Sequence, residues 1–114
     1  MKYVLVVSKN LIVSDRIGSI ARSYGFDVVA RTGADAVARA KLSRPVLIVV
    51  DIEENKDFLA KLKAANISSA VLGFYPHKIP ELKEAAKKLG YQNIFPNSLM
   101  EKVLRDFLTQ LTNI

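Results

Sequence analysis

The sequence predicts an α/β domain in which five parallel strands are doubly wound, with helices over both faces of the sheet. Two observations carry that expectation. Apolar runs begin near Tyr3, Asp27, Val46, Ala70 and Gln92, each followed by a helical pattern, at a repeat of about 19 to 24 residues that suits compact βα units. The runs are rich in Val, Ile and Leu and barely alternate, as strands do when both faces are covered. Alternating βα units dictate a parallel sheet with right-handed crossovers. With five strands the expected order is 2-1-3-4-5, and the 114 residues are expected to form one domain over 1–114.

The elements follow in order. The first run, from Tyr3, leads to a helix whose apolar stripe is Ile17, Ile20, Ala21 and Tyr24, with Gly25 as its stop. After the run at Asp27, Ala34, Val37 and Ala38 make a short small-residue stripe, which implies close packing on the sheet. The third run, Val46 to Val50, is closed by Asp51, and Phe58, Leu59 and Leu62 form a helical stripe after Asn55. The fourth helix lies between Pro80 in its first turn and Gly90 at its end, with Leu82, Ala85, Ala86 and Leu89 as its stripe. The last opens on Ser98-Leu99-Met100-Glu101, a capping-box pattern, and carries Val103, Leu104, Phe107, Leu108 and Leu111. This strand order opens a crevice between the ends of strands one and three, where Ser8-Lys9-Asn10 faces Asp51-Ile52-Glu53-Glu54. The architecture is flavodoxin-like.

Composition narrows the function classes. The chain has no cysteine, which excludes disulfides, thiolate catalysis and cysteine-ligated metal. Its apolar stretches are far shorter than a membrane span. The opening run Met1 to Val7 is too short for a signal peptide and no small-residue cleavage site follows, so a cytoplasmic location is expected. A net charge of +6 and a pI near 9.7 raise a nucleic-acid reading. Lys61, Lys63, Lys83, Lys87, Lys88 and Lys102, however, fall in helical segments off the apolar stripes. No long run of like charge occurs and no aromatics interleave, so solvated helix faces account for the charge and nucleic acid is not the expected partner.

The stretch Arg44-Pro45-Val46-Leu47-Ile48-Val49-Val50-Asp51-Ile52-Glu53 resembles the strand that carries the phospho-acceptor in receiver domains of two-component response regulators. Gly25 to Ala30, Gly33 to Val37, and Pro96 with Ser98 and Glu101 are similar to receiver text in order and spacing, so the resemblance covers essentially the whole chain. It implies that Asp51 is the acceptor position. It also implies that Ser8 and Lys9 stand where receivers carry a metal-binding acidic pair. Tyr75 stands where a Thr or Ser ends the fourth strand, and Phe95 where a lysine precedes the proline. Phosphoryl transfer needs its negative charge neutralised, mostly by Mg²⁺ on carboxylate oxygens. The altered set therefore implies a degenerate receiver, a pseudo-receiver without metal or other cofactor.

Asp51 has three readings: phosphate acceptor, partner of Lys9, or solvated carboxylate at a strand end. We expect Lys9 and Asp51 on neighbouring loops within ion-pair reach, the cation mimicking the absent metal. Asp51, Glu53, Glu54 and Asp57 read as a solvated acidic loop at a helix N-terminus. His77 is expected as an exposed loop residue, since no triad or metal-ligand spacing surrounds it. Phe74, Tyr75, Tyr91 and Phe95 form either an aromatic docking patch or a plug in the crevice. No G-x-G-x-x-G, Walker A or Asp-x-His-x-x-Gly motif is present. The expected role is non-enzymatic: a stand-alone, phosphorylation-independent module for a protein partner or for self-association as a homodimer. Its face, implied by the resemblance, holds Lys83, Lys87, Tyr91, Lys102, Arg105 and Asp106. The alternatives are an atypical single-domain response regulator phosphorylated at Asp51, and a small-ligand or nucleic-acid binder.

Overall fold

A computed structural model describes residues 2–113, so Met1 of the opening run lies outside the described residues. Five strands and five helices alternate: β1 (Tyr3–Val7), α1 (Leu11–Ser23), β2 (Asp27–Arg31), α2 (Gly33–Leu42), β3 (Leu47–Asp51), α3 (Phe58–Ala64), β4 (Ala70–Tyr75), α4 (Pro80–Lys88), β5 (Ile94–Pro96) and α5 (Met100–Thr112). The strands pair in parallel in the order β2-β1-β3-β4-β5, as expected. No helix among the described residues is long and apolar enough to cross a membrane.

The two-residue period of a strand divides the core. Tyr3, Leu5, Val7, Ile48, Val50, Val71 and Tyr75 face one side, where they pack with Ala36 and Ala40 of α2, Phe58, Leu59 and Leu62 of α3, and Leu82 and Ala86 of α4. Val4, Val6, Leu47, Val49, Leu72 and Phe74 face the other, against Ile17, Ile20 and Ala21 of α1 and Leu104 and Leu108 of α5. β1 and β3 thus lie wholly inside, which is why their sequences do not alternate.

Three helices end in the same way. After α1, α3 and α4 the chain turns through Gly25 (φ 89°), Asn66 (φ 57°) and Gly90 (φ 98°). In each, the next amide returns to a carbonyl five residues back, Phe26 to Ala21, Ile67 to Leu62 and Tyr91 to Ala86. These are Schellman endings, which need a left-handed residue that glycine and asparagine supply without strain.

Two expected details differ. In α2 the buried residues are Ala36 and Ala40 with Val37 beside them, while Ala34 and Ala38 are exposed; in α4 Ala85 is likewise exposed. The expected capping box does not form. Asn97–Leu99 make a single 3₁₀ turn, and neither Ser98 nor any other side chain caps α5. Glu101 instead takes the Arg16 guanidinium of α1, with Nη2 3.0 Å from Oε2 and Nε bonded to Oε1.

Gly73 in β4 is fixed by packing. A Cβ there would lie 2.7 Å from the terminal methyls of both Ile52 and Ile94. Strand propensity favours valine over glycine; overpacking opposes it. We expect Gly73→Val to destabilise by about 1–3 kcal/mol, read from urea unfolding; a gain in stability would show that the two isoleucines yield freely.

Candidate functional site

The carboxyl ends of β1 and β3 meet, and the loops leaving them build the site. Asn10 opens α1: its Oδ1 accepts from the amides of Ile12 (3.0 Å) and Val13 (3.2 Å). Ser8, nearly buried, accepts the Asn10 amide on Oγ at 3.1 Å. Both residues therefore hold the β1–α1 turn in place. Asn55, which the sequence reading left without a role, is 6% exposed. Its Nδ2 donates to the carbonyls of Val7 (3.3 Å) and Asp51 (3.0 Å), clamping the ends of the two strands together. A buried amide with two carbonyl partners is a stiff tie, since neither partner can be left unbonded cheaply.

Lys9 and Asp51 do not pair: the ion pairs among the described residues are Arg16–Glu101 and Lys102–Asp106. The reason is the strand period. Asp51 shares a face with Leu47 and Val49, toward α1 and α5. Lys9 lines a pocket with Thr32, Gly33, Glu54, Asn55, Lys56, Asp57 and Lys61, at the start of α2 and α3. The two residues thus line different pockets, with Glu54 between them, lining that of Lys9 and acting on Asp51. This corrects the expected ion pair.

Asp51 has a different neighbour, Glu54. Its carboxyl is pushed up to about 6, first by burial and then by the Glu54 carboxyl, which is near enough to share a proton with it. The amides of Glu54 and Glu53 pull the other way without balancing this. Ser8 Oγ also donates to Glu54 Oε1, at a long 3.5 Å. Glu54 thus belongs to the site, whereas Glu53 and Asp57 are exposed as an acidic loop should be.

The rest of the wall is apolar. A cavity of about 160 Å³ reaches Asp51 from the α1/α5 side, lined by Val13, Ile17, Val50, Phe74, Asn97 and Met100. The aromatic residues split between the two faces. Phe74 pairs in register with both Asp51 and Phe95 and lies with them toward α1 and α5. Tyr75 is buried on the opposite face, so it does not line the Asp51 cavity. Tyr91 also packs there, its hydroxyl 3.4 Å from the Leu59 carbonyl of α3. The four aromatics therefore form no single docking patch. His77 is exposed in the β4–α4 loop. No three His, Asp or Glu side chains converge as a metal site among the described residues.

On the outer surface Lys87, Lys102, Arg105 and Asp106 are exposed and Lys83 is half-buried. Asp106 is held by Lys102 at 3.0 Å along the same helix. Tyr91 turns away from them toward α3. An apolar groove of about 420 Å³ lies between α3 and α4, lined by Ile52, Leu59, Ile79, Leu82 and Leu89 among others.

No protein-family model matches the chain, and no curated protein matches it. Solved structures do. The receiver domain of a Francisella response regulator aligns with a TM-score of 0.83 at 19% identity, over 99% of this chain and 98% of that one. A response-regulator receiver domain from Clostridium thermocellum gives 0.82 at 15% identity, over 99% and 95%. The chemotaxis response regulator CheY4 of Vibrio cholerae gives 0.77 at 19%, over 96% and 98%. The chain has the fold of response-regulator receiver domains. Within that receiver fold Asp51 ends β3 in a site whose polar members are Ser8, Glu54 and Asn55.

The raised Asp51 carboxyl has a stability signature. A group whose folded pKa lies above its unfolded value favours folding at low pH and loses that contribution as pH rises through the folded pKa. Ionising Asp51 beside Glu54 therefore costs stability between about pH 4 and 6. We expect Asp51→Asn to be more stable than the parent at pH 7.5 by about 1 kcal/mol, after allowance for solvent on its open side, with the gap closing near pH 4. Urea unfolding at both pH values checks this, and a less stable variant at pH 7.5 would show that Asp51 has a favourable partner.

Proposed function

We propose that this chain is a receiver-fold regulatory module that acts by protein–protein contact, without enzymatic activity and without phosphorylation of Asp51. One observation carries the reading: the groups around the Asp51 carboxylate are the Glu54 carboxyl and an apolar wall, not cations. A phosphoryl group placed there would bring further negative charge to a carboxylate pair. Stabilising it needs fixed cations or a metal. Lys9, next to Ser8, and Lys56, next to Asn55, line a pocket at the start of α2 and α3, and neither lines the Asp51 cavity. Neither Tyr75 nor Phe95 offers a cation in their stead.

Without phosphoryl chemistry in the crevice, the regulatory contact with a partner, another protein or a second copy, falls to the outer surface. The face over α4, β5 and α5 holds Lys83, Lys87, Lys102, Arg105 and Asp106, and this mixed charge is self-complementary about a two-fold axis. Tyr91 leaves that face, so its apolar centre must come from elsewhere. The α3/α4 groove beside it offers one.

Two experiments follow. With acetyl phosphate, and separately with beryllofluoride and Mg²⁺, we expect no adduct by intact mass or fluorine NMR and no saturable Mg²⁺ titration. An adduct that disappears in Asp51→Asn would restore a phosphorylated response regulator. For the outer face, Lys87→Glu with Arg105→Glu should shift the mass in light scattering from dimer to monomer, or weaken the affinity for a partner by at least about tenfold, while melting like the parent. Unchanged assembly and binding would remove this face from consideration.

A further inference from the structure

We propose that the cavity at Asp51 is a binding site for a primary ammonium group carried on a short apolar stem. The inference goes beyond the regulatory reading, because it concerns the unmodified carboxylate and holds whether or not Asp51 can also accept phosphate.

The chemistry is set by what lines the cavity. Val13, Ile17, Val50, Phe74 and Met100 supply aliphatic, aromatic and thioether walls, and Asn97 the one neutral polar side chain. Asp51 is the one ionisable residue on that wall. A largely apolar pocket with a single carboxylate at its end matches a ligand with one cationic head and an apolar body. An anion is excluded by Asp51 together with Glu54, whose carboxyl lies against it. A neutral apolar molecule would strip water from the carboxylate and return nothing.

The charge balance points the same way. Lys9 lines a different pocket, and the ion pairs of the described residues leave Asp51 without a cation. A bound ammonium would relieve both causes of its discomfort, the burial and the neighbouring carboxyl. The backbone that carries the carboxylate is held in place: Asn55 donates to the Asp51 carbonyl, and the Phe74 carbonyl accepts the Ile52 amide at 3.0 Å. The backbone beneath the site is thus fixed before binding, which lowers the cost of binding.

Size limits the stem. The cavity measures about 160 Å³, and apolar cavities of about 150 Å³ hold a molecule the size of benzene. A stem of about four to six carbons fits. Leu11 and Ile12, next in sequence to the lining residue Val13, are exposed, as is Leu99 beside Met100. They give the approach an apolar character that suits either a free alkylamine or a lysine side chain presented between apolar neighbours.

The test is titration of ¹⁵N-labelled protein, never exposed to a phosphodonor, with n-pentylammonium chloride, following the amides of Val13, Asp51 and Met100. Pentanoate and 1-pentanol serve as anionic and neutral controls. We expect saturable shifts with the amine, with affinity at least about tenfold above either control. Asp51→Asn should lose that preference, and Val13→Phe, which fills the cavity and keeps the carboxylate, should weaken the amine alike. A second arm compares a short N-acetylated, C-amidated Leu-Lys-Leu peptide with its norleucine counterpart. Tighter binding of the lysine peptide than of the free amine assigns the ammonium to a protein partner; the reverse assigns it to a small molecule. Equal response to 1-pentanol or pentanoate, full amine affinity in folded Asp51→Asn, or no saturable shift in either arm would overturn the proposal. An adduct with beryllofluoride would overturn the regulatory reading and leave this result standing.

Discussion

From Tyr3 to Val7, and again from Leu47 to Val50, the backbone runs through the molecule with no side chain more than 1% exposed. Two strands buried on both faces leave the sheet no freedom of register. A slip of one residue would exchange the residues packed on α1 and α5 with those packed on α2, α3 and α4, and the two sets differ in size and shape. The pairing Val4↔Leu47 through Val7↔Val50 is therefore enforced from both sides. Everything at the carboxyl end of the sheet inherits that register, including the depth of Asp51 and the side of the sheet on which it emerges.

The same alternation decides the electrostatics of the site. It sends Asp51 toward α1 and Lys9 toward α2, so two residues that face each other in the sequence act on different surfaces. The loop Ile52–Asp57 then folds under a second constraint, the Asn55 amide, which bonds the Val7 and Asp51 carbonyls at once. Holding Asn55 inward brings Glu54 back over the strand end, beside Asp51 and Ser8. Gly33 allows this, since a Cβ at its position would stand 3.0 Å from Asn55 Oδ1. The carboxylate pair is thus a consequence of how the loop is tied and not of any attraction between its members.

The fold was legible in the sequence because its signals are local and redundant: unbroken apolar runs, glycines after helices, and stripes such as Phe58, Leu59 and Leu62. The misreadings have equally specific causes. In Gly33-Ala34-Asp35-Ala36-Val37-Ala38-Arg39-Ala40, alanine recurs at every second position, so the pattern has no unique helical phase and Ala34 and Ala38 were exchanged for Ala36 and Ala40. Ser98-Leu99-Met100-Glu101 carries the right letters for a capping box, but Glu101 is claimed by Arg16, eighty-five residues away in sequence, a competitor that no local window contains. Tyr91 sits beside β5 in sequence and packs against α3 in space. The Lys9 error differs in kind. Spacing along the crevice puts the two residues near each other, but the two-residue period of a strand, equally present in the sequence, sends them to different pockets. Asn55 gave no signal, since one asparagine before a helix is also what a plain cap looks like.

Identity of 15–19% with receiver domains over nearly the full chain shows how much of this backbone is a packing solution indifferent to chemistry. The apolar alternation needs only volume and hydrophobicity, and many sequences supply both. The site is different, because there burial and a neighbouring carboxyl both oppose the charge of the group the fold holds. Asp51 is half-buried, pressed against a second carboxyl and raised to about 6 by both. An asparagine of nearly equal size would keep the shape and remove the repulsion. Local instability of that kind is what a functional group in a site costs, whereas a residue kept only for packing would not carry it. Val13, Ile17, Val50, Phe74 and Met100 wall the carboxylate in on the α1/α5 side, so whatever meets it there must answer both an apolar surface and a negative charge.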